Sequence, residues 1–86
     1  MKKNEIARAI SLLEGGDWQG AHAIVQKDEE SALACWAHGI VHVMEGDLAN
    51  ARYWYRAAAR PFREPFDLPD EISALKSAAG IGRAKR

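Results

Sequence analysis

A single tight turn, Glu45-Gly46-Asp47, divides the most regular part of the sequence into two segments with helical spacing. In the first segment, apolar side chains recur every three or four positions, which is the period of a helix face and not of a strand. These side chains are Leu33, Trp36, Ala37, Ile40, Val41 and Met44. The second segment has a matching face of Leu48, Ala51, Tyr55 and Ala58. Gly46 can end one helix, Asp47 can cap the next and Pro61 can end it, so residues 32–61 predict an antiparallel helical hairpin.

The order of residues in this hairpin resembles that of a divergent tetratricopeptide repeat (TPR). The residues that carry the resemblance are Gly39, Gly46, Asp47, Leu48, Ala51, Tyr55, Ala58 and Pro61. The resemblance implies a right-handed stack of helical hairpins that binds other proteins. The run EGDLANARYWYRAA is also similar to a block in a family of short uncharacterised proteins, which implies no activity.

A second hairpin is predicted before this one. Residues 4–14 have an apolar face at helical spacing, and Gly15-Gly16 followed by Asp17 marks the start of another helix that runs to about Lys27. The runs EGGDWQGAHAIVQ and EGDLANARYWYRA share a glutamate, a glycine, an aspartate, an apolar residue and an alanine three places later. We therefore interpret the two hairpins as an internal repeat.

The C-terminal third predicts an extended crossing and a final helix. The run PFREPFDLP contains three prolines, and Phe62 and Phe66 are expected to pin it to the core. Asp67 can cap a fifth helix whose apolar face is Leu68, Ile72, Leu75 and Ala79, with Gly80 at its end. Residues 1–80 are then one domain, and residues 81–86 form a basic tail that we expect to be disordered.

These elements predict an all-α fold of two antiparallel hairpins and a C-terminal capping helix. A chain of 86 residues buries only roughly 60% of its unfolded surface, and repeat stacks usually need about three repeats for a continuous core. We therefore expect the fifth helix to cover one end and a second copy of the chain to cover the rest. Candidates for this homodimer contact are Trp36, Ile40 and Met44.

Charge and cysteine content exclude several function classes. Twelve acidic residues balance twelve basic ones, so no overall field attracts the chain to nucleic acid or to an anionic membrane. No apolar run is long enough to cross a bilayer, and charged residues interrupt any signal-peptide core. Cys35 cannot form an internal disulfide and is expected to be a buried apolar residue. A cytoplasmic location follows as an expectation.

The histidines offer one possible site. His38 and His42 are four residues apart and Glu45 follows three later, so all three share a helix face that could hold a divalent metal such as zinc. His22, on the second helix, could add a third nitrogen. In the alternative interpretation, His38 and His42 are core histidines, because the TPR family has large interior residues at these positions. Gly39 stands where a zinc-protease helix needs its glutamate.

A second possible site is a surface for protein partners. Arg52, Arg56 and Arg60 are spaced as a stripe that could bind acidic groups, although such a stripe can equally be a solvated face. Trp54 lies between two tyrosines, and one of the three must point away from the hairpin. The predicted surface comprises Trp36, Ile40, Trp54 and the arginine stripe. Because no catalytic constellation is visible, we expect a non-enzymatic TPR-like adaptor, with a metal- or small-ligand-binding protein as the alternative.

Overall fold

A computed structural model describes residues 1–81, and within them the chain forms five α-helices and no strand. The helices are α1 (Lys3–Glu14), α2 (Trp18–Val25), α3 (Ala32–Glu45), α4 (Leu48–Ala57) and α5 (Leu68–Ala78). The predicted all-α class is confirmed. Ile81 packs against the core and its N–H donates to the Lys76 carbonyl at 3.0 Å. The rest of the predicted tail, residues 82–86, lies outside the described residues.

Aspartate caps fix the starts of three helices. The carboxylates of Asp17, Asp47 and Asp67 accept hydrogen bonds from backbone N–H groups in the first turns of α2, α4 and α5. Gly46 ends α3 in the left-handed conformation, with φ of 95°. The caps at Asp47 and Asp67, the helix start at Asp17 and the helix end at Gly46 were predicted from the sequence.

The end of α4 differs from the prediction. The helix ends at Ala57 and not at Pro61, because Ala59 is left-handed, with φ of 58°. The Arg60 N–H then donates to the Tyr55 carbonyl and the Ala59 N–H to the Arg56 carbonyl, both at 3.0 Å. This is a Schellman motif, which satisfies the carbonyls of the last turn without glycine.

Helix α3 is the centre of the core. Its residues from Ala34 to His42 are all buried, and it packs against each of the other four helices. Helix α1 also packs against α2 and α5, and its predicted face of Ile6, Ala9, Ile10 and Leu13 is buried. Helix α5 thus covers both α1 and α3. The TPR-like handedness of this stack stays a prediction.

Helices α3 and α4 approach each other closely at Gly39. A Cβ atom at this position would lie 2.4 Å from Cδ1 of Tyr55, so the helices can pack here only because residue 39 has no side chain. The ring of Tyr55 is 1% exposed and meets the edges of Phe62 and Phe66, at centroid distances of 5.2 and 5.8 Å. The two phenylalanines therefore pin the extended crossing, as predicted.

Two further observations concern the surface. Leu48, predicted on the apolar face of α4, is 42% exposed because it is the first residue of the helix, next to the exposed turn. None of the helices in residues 1–81 has the length and apolar character needed to cross a membrane.

Candidate metal centre

The structure brings the three histidines of the sequence together. His22 lies on α2, and His38 and His42 lie on α3. Their ring centroids are 4.9 Å apart for His22 and His38, 5.5 Å for His22 and His42, and 5.0 Å for His38 and His42. Each ring offers one nitrogen, and these nitrogens all lie within 4.8 Å of one another. We call these three residues the histidine cluster.

His38 is the most buried member of the cluster. Its side chain stacks on Trp54, with 3.9 Å between the ring centroids and 7° between the ring planes. Its Nδ1 atom is buried and has no hydrogen-bond partner within residues 1–81. Burial lowers the pKa of His38 to about 4, and the imidazoles of His22 and His42 contribute. His38 is therefore neutral near pH 7, which is the form that binds metals.

His42 is oriented by Glu45. The Nδ1 atom of His42 lies 2.7 Å from Oε1 of Glu45, so Nε2 is the nitrogen left for another partner. A carboxylate behind a histidine fixes its tautomer and makes the other nitrogen a better donor, as is common around metal ligands. Glu45 was predicted as a ligand, but the structure places it behind His42 and outside the histidine cluster.

A second group of possible ligands contains His42, Glu45 and Asp47. Both carboxylates are exposed, and each already has a role in the fold. Glu45 contacts His42, while Asp47 caps α4 by accepting from the backbone N–H of Asn50 at 3.2 Å. The histidine cluster is therefore the better candidate.

The cluster fits a transition-metal ion. Tetrahedral zinc with bonds of 2.0–2.1 Å separates its ligand nitrogens by about 3.4 Å, so the cluster would have to contract by at most about 1.4 Å. Side-chain rotations on two neighbouring helices can supply this movement. Three imidazoles suit zinc, copper or nickel, whereas magnesium and calcium prefer oxygen ligands.

Two residues of the predicted surface for protein partners are buried. Trp36 is 7% exposed and Ile40 is fully buried, so neither is available to a partner or to a second copy of the chain. The reason is that α5 packs against α3 and covers this side of the predicted hairpin. Trp54 faces His38, and the aromatic residue that points outward is Tyr53, which is 55% exposed.

The predicted arginine stripe is interrupted at Arg60. The Schellman motif ends α4 before this residue, and its guanidinium lies 3.8 Å above the Trp36 ring. It also donates to both oxygens of Glu71, at 3.1 and 2.8 Å. Arg52 is within 3.5 Å of the Glu64 carboxylate, and both side chains are about half exposed. Arg56 is exposed.

No pattern in the sequence predicted the hydrogen-bond network around Glu71. The Glu71 carboxylate accepts from Trp36 Nε1 at 3.1 Å and from the Tyr55 hydroxyl at 2.7 Å, in addition to Arg60. Burial on its own would raise the pKa of Glu71, but the hydrogen bonds from Arg60, Tyr55 and Trp36 outweigh it and hold the pKa below its usual value. Glu71 and Trp36 are 35 residues apart, so no local pattern connects them.

Comparisons with protein-family models, with curated proteins and with solved structures found no match to this chain. The resemblance to the TPR family stays a prediction from the sequence.

Proposed function

We propose that this protein binds one divalent transition-metal ion, with zinc as the reference case, through His22, His38 and His42. Glu45 then acts from behind His42 and orients it. The observation that carries the proposal is the convergence of three imidazole nitrogens from two helices within 4.8 Å.

The surroundings of His38 support this proposal over a purely structural role. Buried polar groups are nearly always hydrogen-bonded, because an unpaired one costs about 1–3 kcal/mol. Within residues 1–81 the Nδ1 atom of His38 has no hydrogen-bond partner, and the residue is only 4% exposed. A cation shared by the three imidazoles would bind one nitrogen lone pair from each ring.

The direct test is a zinc titration of purified, chelator-treated protein, followed by calorimetry and by thermal unfolding. We expect one ion per chain. At a zinc concentration of about 100 times Kd the ion stabilises the fold by about 2.7 kcal/mol, which raises Tm by about 10–20 °C for a domain of this size. Magnesium at the same concentration should have no effect.

Variants locate the site. His22→Ala removes one ligand from a half-buried position, so the metal-free fold should keep its stability while zinc binding is lost. Glu45→Gln should weaken zinc binding by about 10–100-fold, as expected for a residue that orients a ligand. Glu30→Gln, in the exposed linker between α2 and α3, is the matched control and should bind zinc normally. No heat and no rise in Tm with the wild-type protein would refute the proposal.

Protein binding, predicted from the sequence, is the second candidate. The observation in its favour is that α4 exposes Leu48 and Tyr53 beside the exposed side chains of Arg52 and Arg56. Tyrosine and arginine side chains are enriched in binding hot spots. Replacing Arg52 and Arg56 by glutamate should abolish capture of a partner and leave the helical content unchanged.

The predicted homodimer is tested by sedimentation at high micromolar concentration. A monomeric mass would refute this prediction.

A further inference from the structure

We infer that the metal site is open, so that the ion takes three protein nitrogens and a fourth, monodentate ligand from solvent, either water or a small anion. This inference rests on the proposed function and specifies the ligand class that the site accepts. It follows from the number of donors, from their burial and from their charge.

The donor count leaves one tetrahedral position without a protein ligand. Within residues 1–81, the group of possible ligands around His22 and His38 contains only one further member, His42. Glu45 is held at Nδ1 of His42. Cys35 also lies on α3, but its thiol is buried and donates to the Glu29 carbonyl at 3.3 Å. Structural zinc sites have four protein ligands, whereas sites with three keep the last position for water or substrate.

The burial of the three histidines indicates where the fourth ligand enters. His38 and His42 are 4% and 8% exposed, and the Trp54 ring covers one face of His38. His22 is half-buried and lies on α2. His22 is thus the member of the cluster most accessible to solvent, and we expect the fourth ligand to enter on its side, because the Trp54 ring covers His38.

The charge of the donors determines which ligands bind. Imidazole ligands leave the positive charge of the ion uncompensated. Of the two carboxylates near His42, Glu45 acts through that histidine and Asp47 caps α4. An ion with imidazole ligands attracts anions and lowers the pKa of a bound water to about 7 in known three-histidine zinc sites. We therefore expect hydroxide and small monovalent anions to occupy the fourth position.

Cobalt substitution tests this inference. Cobalt(II) replaces zinc in nitrogen sites, and its visible absorption reports coordination number and ligand exchange. We expect the cobalt-loaded protein to give tetrahedral absorption bands that shift saturably with azide and also change with pH as the bound water ionises. Bands that respond neither to azide nor to pH would show a closed site and overturn this inference alone. An absence of cobalt and zinc binding would overturn the proposed function as well.

Glu45→Gln distinguishes an open site from one that Glu45 closes by rotating toward the metal. If the fourth ligand comes from solvent, azide shifts the cobalt bands of both the wild type and this variant, although more cobalt is needed to load the variant. If Glu45 were the fourth ligand, azide would shift the bands of the variant and not those of the wild type, and that result would refute the inference.

Discussion

Replacing Gly39 by alanine tests the packing on which the fold depends. Alanine is the better helix former, and in an open helix this change would stabilise the protein by about 1 kcal/mol. Here the new methyl group would lie 2.4 Å from Cδ1 and 2.7 Å from Cε1 of Tyr55, and 3.3 Å from the carbonyl of Ala51. Carbon atoms in contact are normally about 3.5–4.0 Å apart, so the ring or the helix must move by about 1 Å.

Neither Tyr55 nor α4 can move freely. The Tyr55 hydroxyl donates to Glu71 at 2.7 Å, and the ring is enclosed by Phe62 and Phe66. Overpacking of this kind costs about 1–3 kcal/mol. Loss of a hydrogen bond to a charged group adds about 1.5–3 kcal/mol if the ring withdraws. After subtraction of the gain in helix propensity, we expect Gly39→Ala to destabilise the protein by about 2–4 kcal/mol.

Urea unfolding followed by far-UV circular dichroism measures this change in the free energy of unfolding. In a thermal melt, Tm should fall by about 10–25 °C. Gly20→Ala is the matched control in another helix. Its methyl group would meet the flexible carboxylate of Asp17, so a propensity gain and a cap loss of about 1 kcal/mol each should nearly cancel.

A double-mutant cycle with Tyr55→Leu identifies the contact responsible. Removing the ring should reduce the cost of alanine at position 39 by at least about 1 kcal/mol. If Gly39→Ala proves as stable as the wild type, α3 and α4 do not pack as closely at this point as the structure shows.

Three further predictions concern charge and capping. Glu71→Gln should destabilise the protein by about 2 kcal/mol in urea unfolding, because it removes a charged acceptor from partly buried donors. Glu14→Gln is the control: it changes an exposed pair with Lys76 and should alter stability by less than about 0.5 kcal/mol. The pKa of His38 is lowered to about 4, so on acidification this histidine takes up a proton at a higher pH in the unfolded chain than in the folded protein. The metal-free protein should therefore lose roughly 3 kcal/mol of stability as pH falls from 6.5 to 4. A smaller slope in His38→Phe would confirm the assignment, and an unchanged slope would contradict it. Asp47→Ala should cost about 1 kcal/mol, and no loss would mean that its contact with the Asn50 N–H contributes nothing.

Local sequence patterns were sufficient for the helices and for most of the candidate site. Helical spacing and three aspartate caps predicted the all-α class and the starts of α2, α4 and α5. The same spacing placed His38 and His42 on one face, and the hairpin prediction brought His22 near them. Each of these features depends on residues close together in sequence or on neighbouring helices.

The errors came from contacts between distant residues. Trp36 and Ile40 were predicted to contact a partner or a second copy because a hairpin alone does not reveal where α5 packs. The role of Arg60 depends on a left-handed Ala59, which a non-glycine residue gives no reason to expect. Glu71 had no distinctive signal, since its three partners come from α3, α4 and the segment after α4.

The histidine cluster joins α2 to α3, the last helix of the first predicted hairpin and the first helix of the second. A bound ion would therefore hold α2 and α3 together across the linker of residues 26–31, whereas the hydrogen bonds of Glu71 hold α5 against the other side of α3. Chelation should then speed amide hydrogen exchange in α2 and leave the slowest amides of α3 and α4 protected, so that the two halves of this small protein would open in sequence and not together.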